Sequence, residues 1–325
     1  MVRETRRRFL PTAGIAALLA TALASAALAQ PSPLNVVATT AMVADAVRAV
    51  GGERVKVEAL LGEGVDPHLY KPTRADTAKM LRADMVVANG LNLEAQFRDT
   101  FEQLAKTKPV VLAGEKLPKD RLLADEDYKD RPDPHVWMDP ELWTGVVAAV
   151  RDALAARLPA GKPAFDQGHD AYVAELNRLS AYAREALASI PKEKRILLTA
   201  HDAFSYFARA YEMEVIGIQG VSTESEAGLK KIEEVVSLVI ERRIPGIFVE
   251  SSVSDRNVKA VVEGAARRGH KLEIGAELFS DAMGPPGTYE GTYVGMIDHN
   301  VTTITRALGG TAPARGLNGR LGAAG

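Results

Sequence analysis

Twice along this chain, short apolar runs alternate with longer amphipathic ones, and that alternation limits the fold more than any other feature. In the first series, "LNVVATT", "VKVEALL", "DMVVANG" and "PVVLAG" read as buried strands. Helices over "AMVADAVRAVGG", "TRADTAKMLRA" and "LEAQFRDTFEQLAKT" separate them. The second series starts after Pro191, with strands over "RILLTAH", "EVIGIQG", "GIFVESS" and "KLEIGAEL". Between these lie the helices "DAFSYFARAYE", "EAGLKKIEEVVSLVIERR" and "DRNVKAVVEGAARRG", and a last helix covers about "TYVGMIDHNVTTITRAL". Such alternation predicts parallel sheets covered by helices.

The two series are separated by helix alone. "DPELWTGVVAAVRDALAARL" follows an irregular acidic stretch, with Asp139 placed to cap it and Pro140 at its first position, where no N–H is needed. Residues 162–190 then form one long helical segment with no adjoining strand. The expected fold class is therefore α/β: two lobes with parallel sheets covered by helices, joined by one long spine helix, with a ligand site in the cleft between them. The boundaries are an N-terminal lobe over 30–160, the linking helix over 161–191, a C-terminal lobe over 192–310 and a flexible tail over 311–325.

Residues 1–29 read as a signal peptide: a basic start, an apolar stretch, and Ala27-Leu28-Ala29 as the cleavage site. Thr5-Arg6-Arg7-Arg8-Phe9-Leu10 resembles the twin-arginine export signal; the alternative is a Sec signal with an Arg-rich start. The chain has no cysteine, which removes disulfides, thiolate metal ligands and a lipid-anchored cysteine together. Its net charge is −2, and loss of the arginine-rich leader makes it more acidic. No basic patch suggests nucleic acid, and no second long apolar run suggests membrane insertion after the signal is removed. A monomer in the periplasm, with a small solute or a cation as its partner, is expected.

Only six histidines are present, and two share one tripeptide: Asp66-Pro67-His68 and Asp133-Pro134-His135. Proline fixes its own φ and pushes the preceding aspartate into an extended conformation, so each imidazole leaves a stiff turn. His201 ends a predicted strand, and Asp281 follows another. All four sit at or beyond the carboxyl ends of predicted parallel strands, where open α/β sheets place their ligands. They are too far apart in sequence for any local zinc motif, so a site made of them depends on the fold.

A coordinating imidazole needs its second nitrogen held, commonly by a carboxylate; Asp66, Asp133 and Asp202 are candidates. Glu250 is a further group behind the ligands, or a ligand in place of Asp281. His169, His270 and His299 read as ordinary surface or turn residues. Thr223 and Glu226 fit a capping box that starts the helix after them.

"DPHLYKPT", "DPHVWMDP", "TAHDAFSYFARAY" and "SDAMGPPGTYEGTYVGMIDHN", in this order, resemble the periplasmic zinc/manganese solute-binding family of bacterial ABC importers over nearly the whole mature chain. The resemblance implies a metal receptor and not an enzyme, with His68, His135, His201 and Asp281 as ligands. It also implies delivery to an ABC permease and its ATPase. Three imidazoles and one carboxylate suit Zn²⁺, and histidine at 201 is where manganese-dedicated relatives often carry glutamate. The stretch before His135 lacks the histidines that zinc-dedicated relatives often carry there. Zinc and manganese are therefore joint candidates for the cargo. The competing readings are a zinc hydrolase, against which stands the absence of H-E-x-x-H, and a receptor for a chelated-metal organic solute.

Overall fold

The computed structural model describes Met1, residues 32–125, Tyr128 and residues 131–322. Apart from Met1, the expected export signal lies outside the described residues. Among the described residues, no helix is long and apolar enough to cross a membrane.

The N-terminal sheet is wholly parallel. Its strands β1 (Leu34–Ala38), β2 (Val55–Ala59), β3 (Met85–Ala88) and β4 (Val110–Leu112) lie in the order β2-β1-β3-β4. Helices α1 (Ala41–Gly51), α2 (Arg74–Arg82) and α3 (Arg98–Ala105) make the crossovers. Each of the first two starts on a threonine cap. Thr40 accepts the N–H of Val43, and Thr73 forms a capping box with Asp76. The helix expected from Leu93 begins only at Arg98, after a 3₁₀ turn over Ala95–Phe97.

Helix α4 (Pro140–Arg157) starts as expected: the Asp139 carboxylate accepts the N–H groups of Glu141 and Leu142, and Pro140 occupies the first turn. The spine, α5 (Lys162–Ala188), runs for 27 residues, about 40 Å at 1.5 Å per residue. It packs on α1 and α4 from one lobe, and on α6 (Ser205–Tyr211) and α9 (Tyr293–Ala307) from the other. Gly168 lets it approach α1 closely, since a Cβ there would stand 2.5 Å from the Val50 carbonyl oxygen. One hydrophobic core consequently runs without a break through both lobes, from Val43 and Val147 through Leu176 and Leu179 to Phe207 and Val301.

The C-terminal lobe repeats the first in outline. Strands β5 (Ile196–Thr199) and β6 (Glu214–Gly217) pair in parallel, as do β7 (Gly246–Ile247) and β8 (Glu273–Ile274). The Phe248 N–H donates to the Leu198 carbonyl at 2.9 Å and joins the two pairs, which gives the order β6-β5-β7-β8. Helices α7 (Leu229–Glu241) and α8 (Arg256–Arg267) flank this sheet. The last two strands are much shorter than their apolar runs predict. Strand β8 lies at the sheet edge with Ile274 exposed, and a short edge limits pairing with other chains.

Two expectations fail here for physical reasons. Helix α7 begins at Leu229 after Gly228, without a side-chain cap. The Thr223 hydroxyl, expected to cap it, donates instead to Asp66 in the other lobe. The tail, expected to be flexible, is held through Leu321. The Leu317 N–H donates to the buried Asp298 carboxylate at 2.9 Å, Asn318 donates to the Tyr289 hydroxyl, and Leu321 is buried. Gly316, at φ +69°, makes room for that carboxylate where a Cβ would collide with it.

Candidate metal centre

Each expected ligand leaves the carboxyl end of a parallel strand. His68 lies in the loop after β2, where the Asp66 carboxylate accepts the His68 N–H at 2.8 Å. His135 lies in the long irregular segment after β4; Asp133 accepts its N–H at 2.9 Å and meets its ring Nδ1 at 2.7 Å. His201 follows β5 directly, and Asp281 follows β8. His68 and His135 come from one lobe, His201 and Asp281 from the other.

The fold brings all four together, with one ligand atom from each lying within 4.8 Å of every other. All are buried, His68 least at 3% exposed alongside Asp281 at 2%, and the other two at 0%. The Nε2 atoms of His68 and His135 are 3.3 Å apart, His135 Nε2 is 3.3 Å from Asp281 Oδ1, and His201 Nε2 is 3.2 Å from Asp281 Oδ2. A tetrahedron with metal–ligand bonds of about 2.0–2.1 Å has edges of about 3.3–3.4 Å. Three of the six edges of the cage thus have the length a bound ion requires, and another, His68 Nε2 to Asp281 Oδ2, is longer at 3.9 Å.

The donor chemistry fits a cation as well. His201 Nε2 and both Asp281 oxygens are buried without a hydrogen-bond partner, because their mutual approach is not aligned for one. Buried polar atoms are ordinarily satisfied; these three face one another around a common centre. Both carboxylate oxygens of Asp281 point into the cage, so it can ligate through one or through both.

Two of the three imidazoles are held from behind by carboxylates, as metal-binding histidines commonly are. For His135 the partner is Asp133. For His201 it is Glu250, which takes both the backbone N–H at 2.9 Å and ring Nδ1 at 2.5 Å. Asp202, the nearer candidate in sequence, accepts the Ser205 hydroxyl instead, and Asp66 serves the backbone of His68. Glu250 stands behind His201 and is not among the clustered ligands.

These surroundings split the histidines electrically. Burial, helped by the charges of His135 and His201, lowers the pKa of His68 to about 3 against the weaker opposing pull of Asp281. For His135 burial acts the same way, but Asp133 and Asp281 outweigh it and push the pKa up to about 9. His201 is also buried, yet Glu250 and Asp281 raise it well above the usual imidazole range. Burial pushes Asp281 upward, but His201 and His135 overcome it and hold the carboxyl well below its usual range.

The remaining histidines stay apart from the cage: His169 meets Asp170, His270 the Ile244 carbonyl, and His299 the Glu277 carbonyl. Sequence reasoning missed the groups that tie the lobes together beside the ligands. Trp137 Nε1 donates to the Ser280 carbonyl at 2.9 Å, and the Tyr206 hydroxyl donates to the Asp133 carbonyl at 2.8 Å. Nothing local marks either aromatic, since each partner is distant in sequence.

Glu250→Gln keeps the volume behind His201 but removes the charge. Measured at high pH, where protons do not compete, metal affinity is expected to fall roughly 10- to 100-fold. The slope of affinity against pH should also flatten, because His201 loses the group that holds its proton most strongly. Calorimetric titration of both proteins at several pH values checks this.

Comparison with known proteins gives one consistent picture. Residues 36–307 match the family described as the periplasmic zinc-uptake complex component A. The chain is 43% identical to the manganese-binding lipoprotein MntA of Bacillus subtilis over 284 residues, covering 87% of this chain and 92% of that protein. It is 45% identical to the zinc-binding protein TroA of Treponema pallidum over 282 residues, covering 87% and 91%. The solved structure of that periplasmic zinc-binding protein superposes with a TM-score of 0.83, covering 85% of this chain and 99% of the other.

Proposed function

The chain belongs to the periplasmic zinc-uptake component A family, and on that premise we propose that it captures one divalent transition-metal ion in the four-residue cage and hands it to a membrane permease. It is a receptor of an ABC importer and not an enzyme. Its partners are the ion, the permease and the ATPase that drives it.

The observation that carries the site assignment is the cage itself: three imidazole nitrogens and a carboxylate, drawn from both lobes, at the spacing of a coordination tetrahedron. His68, His135, His201 and Asp281 are the ligands in this reading. Four protein ligands close a zinc coordination sphere, leaving no position for the activated water of a hydrolase.

Zinc and manganese are both cargo candidates. Three imidazoles favour Zn²⁺, while a carboxylate with two inward oxygens can add the fifth contact that Mn²⁺ favours. The relatives MntA and TroA are named for manganese and for zinc respectively. By the ordinary order of divalent affinities, zinc binds more tightly in vitro whichever ion is carried in the cell. Capture in the periplasm, by a monomer freed from its signal peptide, completes the reading.

The test is elemental analysis of protein purified without chelators, followed by calorimetric titration of the stripped protein with Zn²⁺ and Mn²⁺. One equivalent of metal per chain is expected. A structural zinc site binds with about 10–16 kcal/mol, so each of four ligands contributes about 2.5–4 kcal/mol. His68→Ala should therefore weaken binding roughly 10²- to 10³-fold. Unchanged affinity in that variant would sink the ligand assignment, and no stoichiometric metal would return the chain to the organic-solute reading.

A further inference from the structure

The two Asp-Pro-His turns are identical in sequence but wired differently. In the second, Asp133 spends one oxygen on its own histidine, taking both the backbone N–H and the ring of His135. The His135 ring is thereby fixed from within its own lobe. In the first, Asp66 takes the His68 N–H on Oδ1, and its Oδ2 accepts the Thr223 hydroxyl at 2.6 Å. Thr223 is buried and belongs to the loop between β6 and α7, in the opposite lobe.

That loop also borders a pocket that reaches His68. His68 lines it together with Asn92 and Pro134 from its own lobe, and with Val221, Ser222 and Glu224 from the loop carrying Thr223. At its rim, Gln96 of the first lobe donates to Glu224 at 3.1 Å. The ligand next to the pocket is thus the one whose turn is tied across the cleft through its aspartate carboxylate, whereas the second turn is reached from the other lobe at the Asp133 backbone carbonyl, by Tyr206.

We propose that Thr223 is a positioning residue, a latch that holds the His68 turn in place from the opposite lobe and so sets how fast the ion leaves past His68. The Thr223–Asp66 hydrogen bond exists only when the lobes are together. On separation, water replaces it for both partners at little cost. Removing the hydroxyl strands a half-buried carboxylate oxygen in the closed arrangement alone, which weakens closure without touching a ligand. The latch rests on the metal-receptor reading and adds to it a determinant of release that lies outside the coordination shell.

Thr223→Val keeps the shape and deletes the donor; Thr223→Ser keeps the donor. Each variant and the wild type are loaded with Zn²⁺ alone, and release to excess chromophoric chelator is followed by stopped flow. Thr223→Val is expected to release the ion about fivefold faster or more, the low end of the roughly 5- to 150-fold range for a stranded buried acceptor, because Asp66 is only half-buried. Its association rate and the melting temperature of the stripped protein should stay near wild type, and Thr223→Ser should restore slow release to within about twofold. Release from Thr223→Val at the wild-type rate overturns the latch and leaves the receptor intact. Equally fast release from Thr223→Ser also overturns it, since the hydroxyl would then not be the cause. Wild-type protein that takes up no Zn²⁺ overturns the receptor reading and the latch with it.

Discussion

Asp281→Asn is expected to lower metal affinity roughly 10³-fold or more, the largest effect of any single substitution at the cage. The change preserves volume, so the loss is electrostatic. Asp281 is the one carboxylate of the cage, and it is held well below the usual range by His201 and His135 despite its burial. Its share of a typical structural-zinc binding energy is about 2.5–4 kcal/mol. Loss of the charge also leaves the raised histidines facing an amide, and breaking a buried ionic arrangement by removing one partner costs about 3–5 kcal/mol. Calorimetry against Zn²⁺ checks the affinity. A loss smaller than about tenfold would mean that the ion is held mainly by the imidazoles.

The second large effect is with pH. His135, raised to about 9, and His201, raised well above the usual imidazole range, both hold a proton at neutral pH. An arriving ion must displace both protons, so apparent affinity falls as pH falls and rises as pH approaches 9. His68, lowered to about 3, and Asp281, lowered well below its usual range, are already deprotonated and add nothing to the slope. Between about pH 5 and 8 the affinity should change by roughly a hundredfold per unit, two protons for each ion. Titrations in buffers of different ionisation enthalpy count those protons directly; release of fewer than one per ion would contradict the arrangement. The exchange is also charge-neutral, because a divalent cation replaces two protons among the same carboxylates.

Much of this was legible in the sequence wherever the cause is local. The Asp139 cap, the proline after it and the long strand-free helix are written in neighbouring residues, and the structure follows them. The clustering of His68, His135, His201 and Asp281 was legible because strand ends are read along the chain and sites in open α/β sheets follow strand ends. What lies sideways was not. His201 is held by Glu250 rather than by adjacent Asp202 because β7 lies beside β5, and strand order is not written in either strand. Thr223 was assigned to a helix start by a genuine local pattern, which a partner across the cleft then claimed. The tail composition suggested fraying, but one buried carboxylate, Asp298, reaches the Leu317 N–H and holds that end down.

The unbroken core through α5 fixes the thermodynamic character of ion capture. Swinging the lobes widely apart would uncover apolar surface shared by α1, α4, α6 and α9, at about 25 cal/mol for every Å². Loading and unloading then proceed with little change in hydrated apolar area, and so with little change in heat capacity. The heat of binding is set by coordination and by protons passed to the buffer. It belongs to the chemistry of four side chains, hardly at all to the solvent.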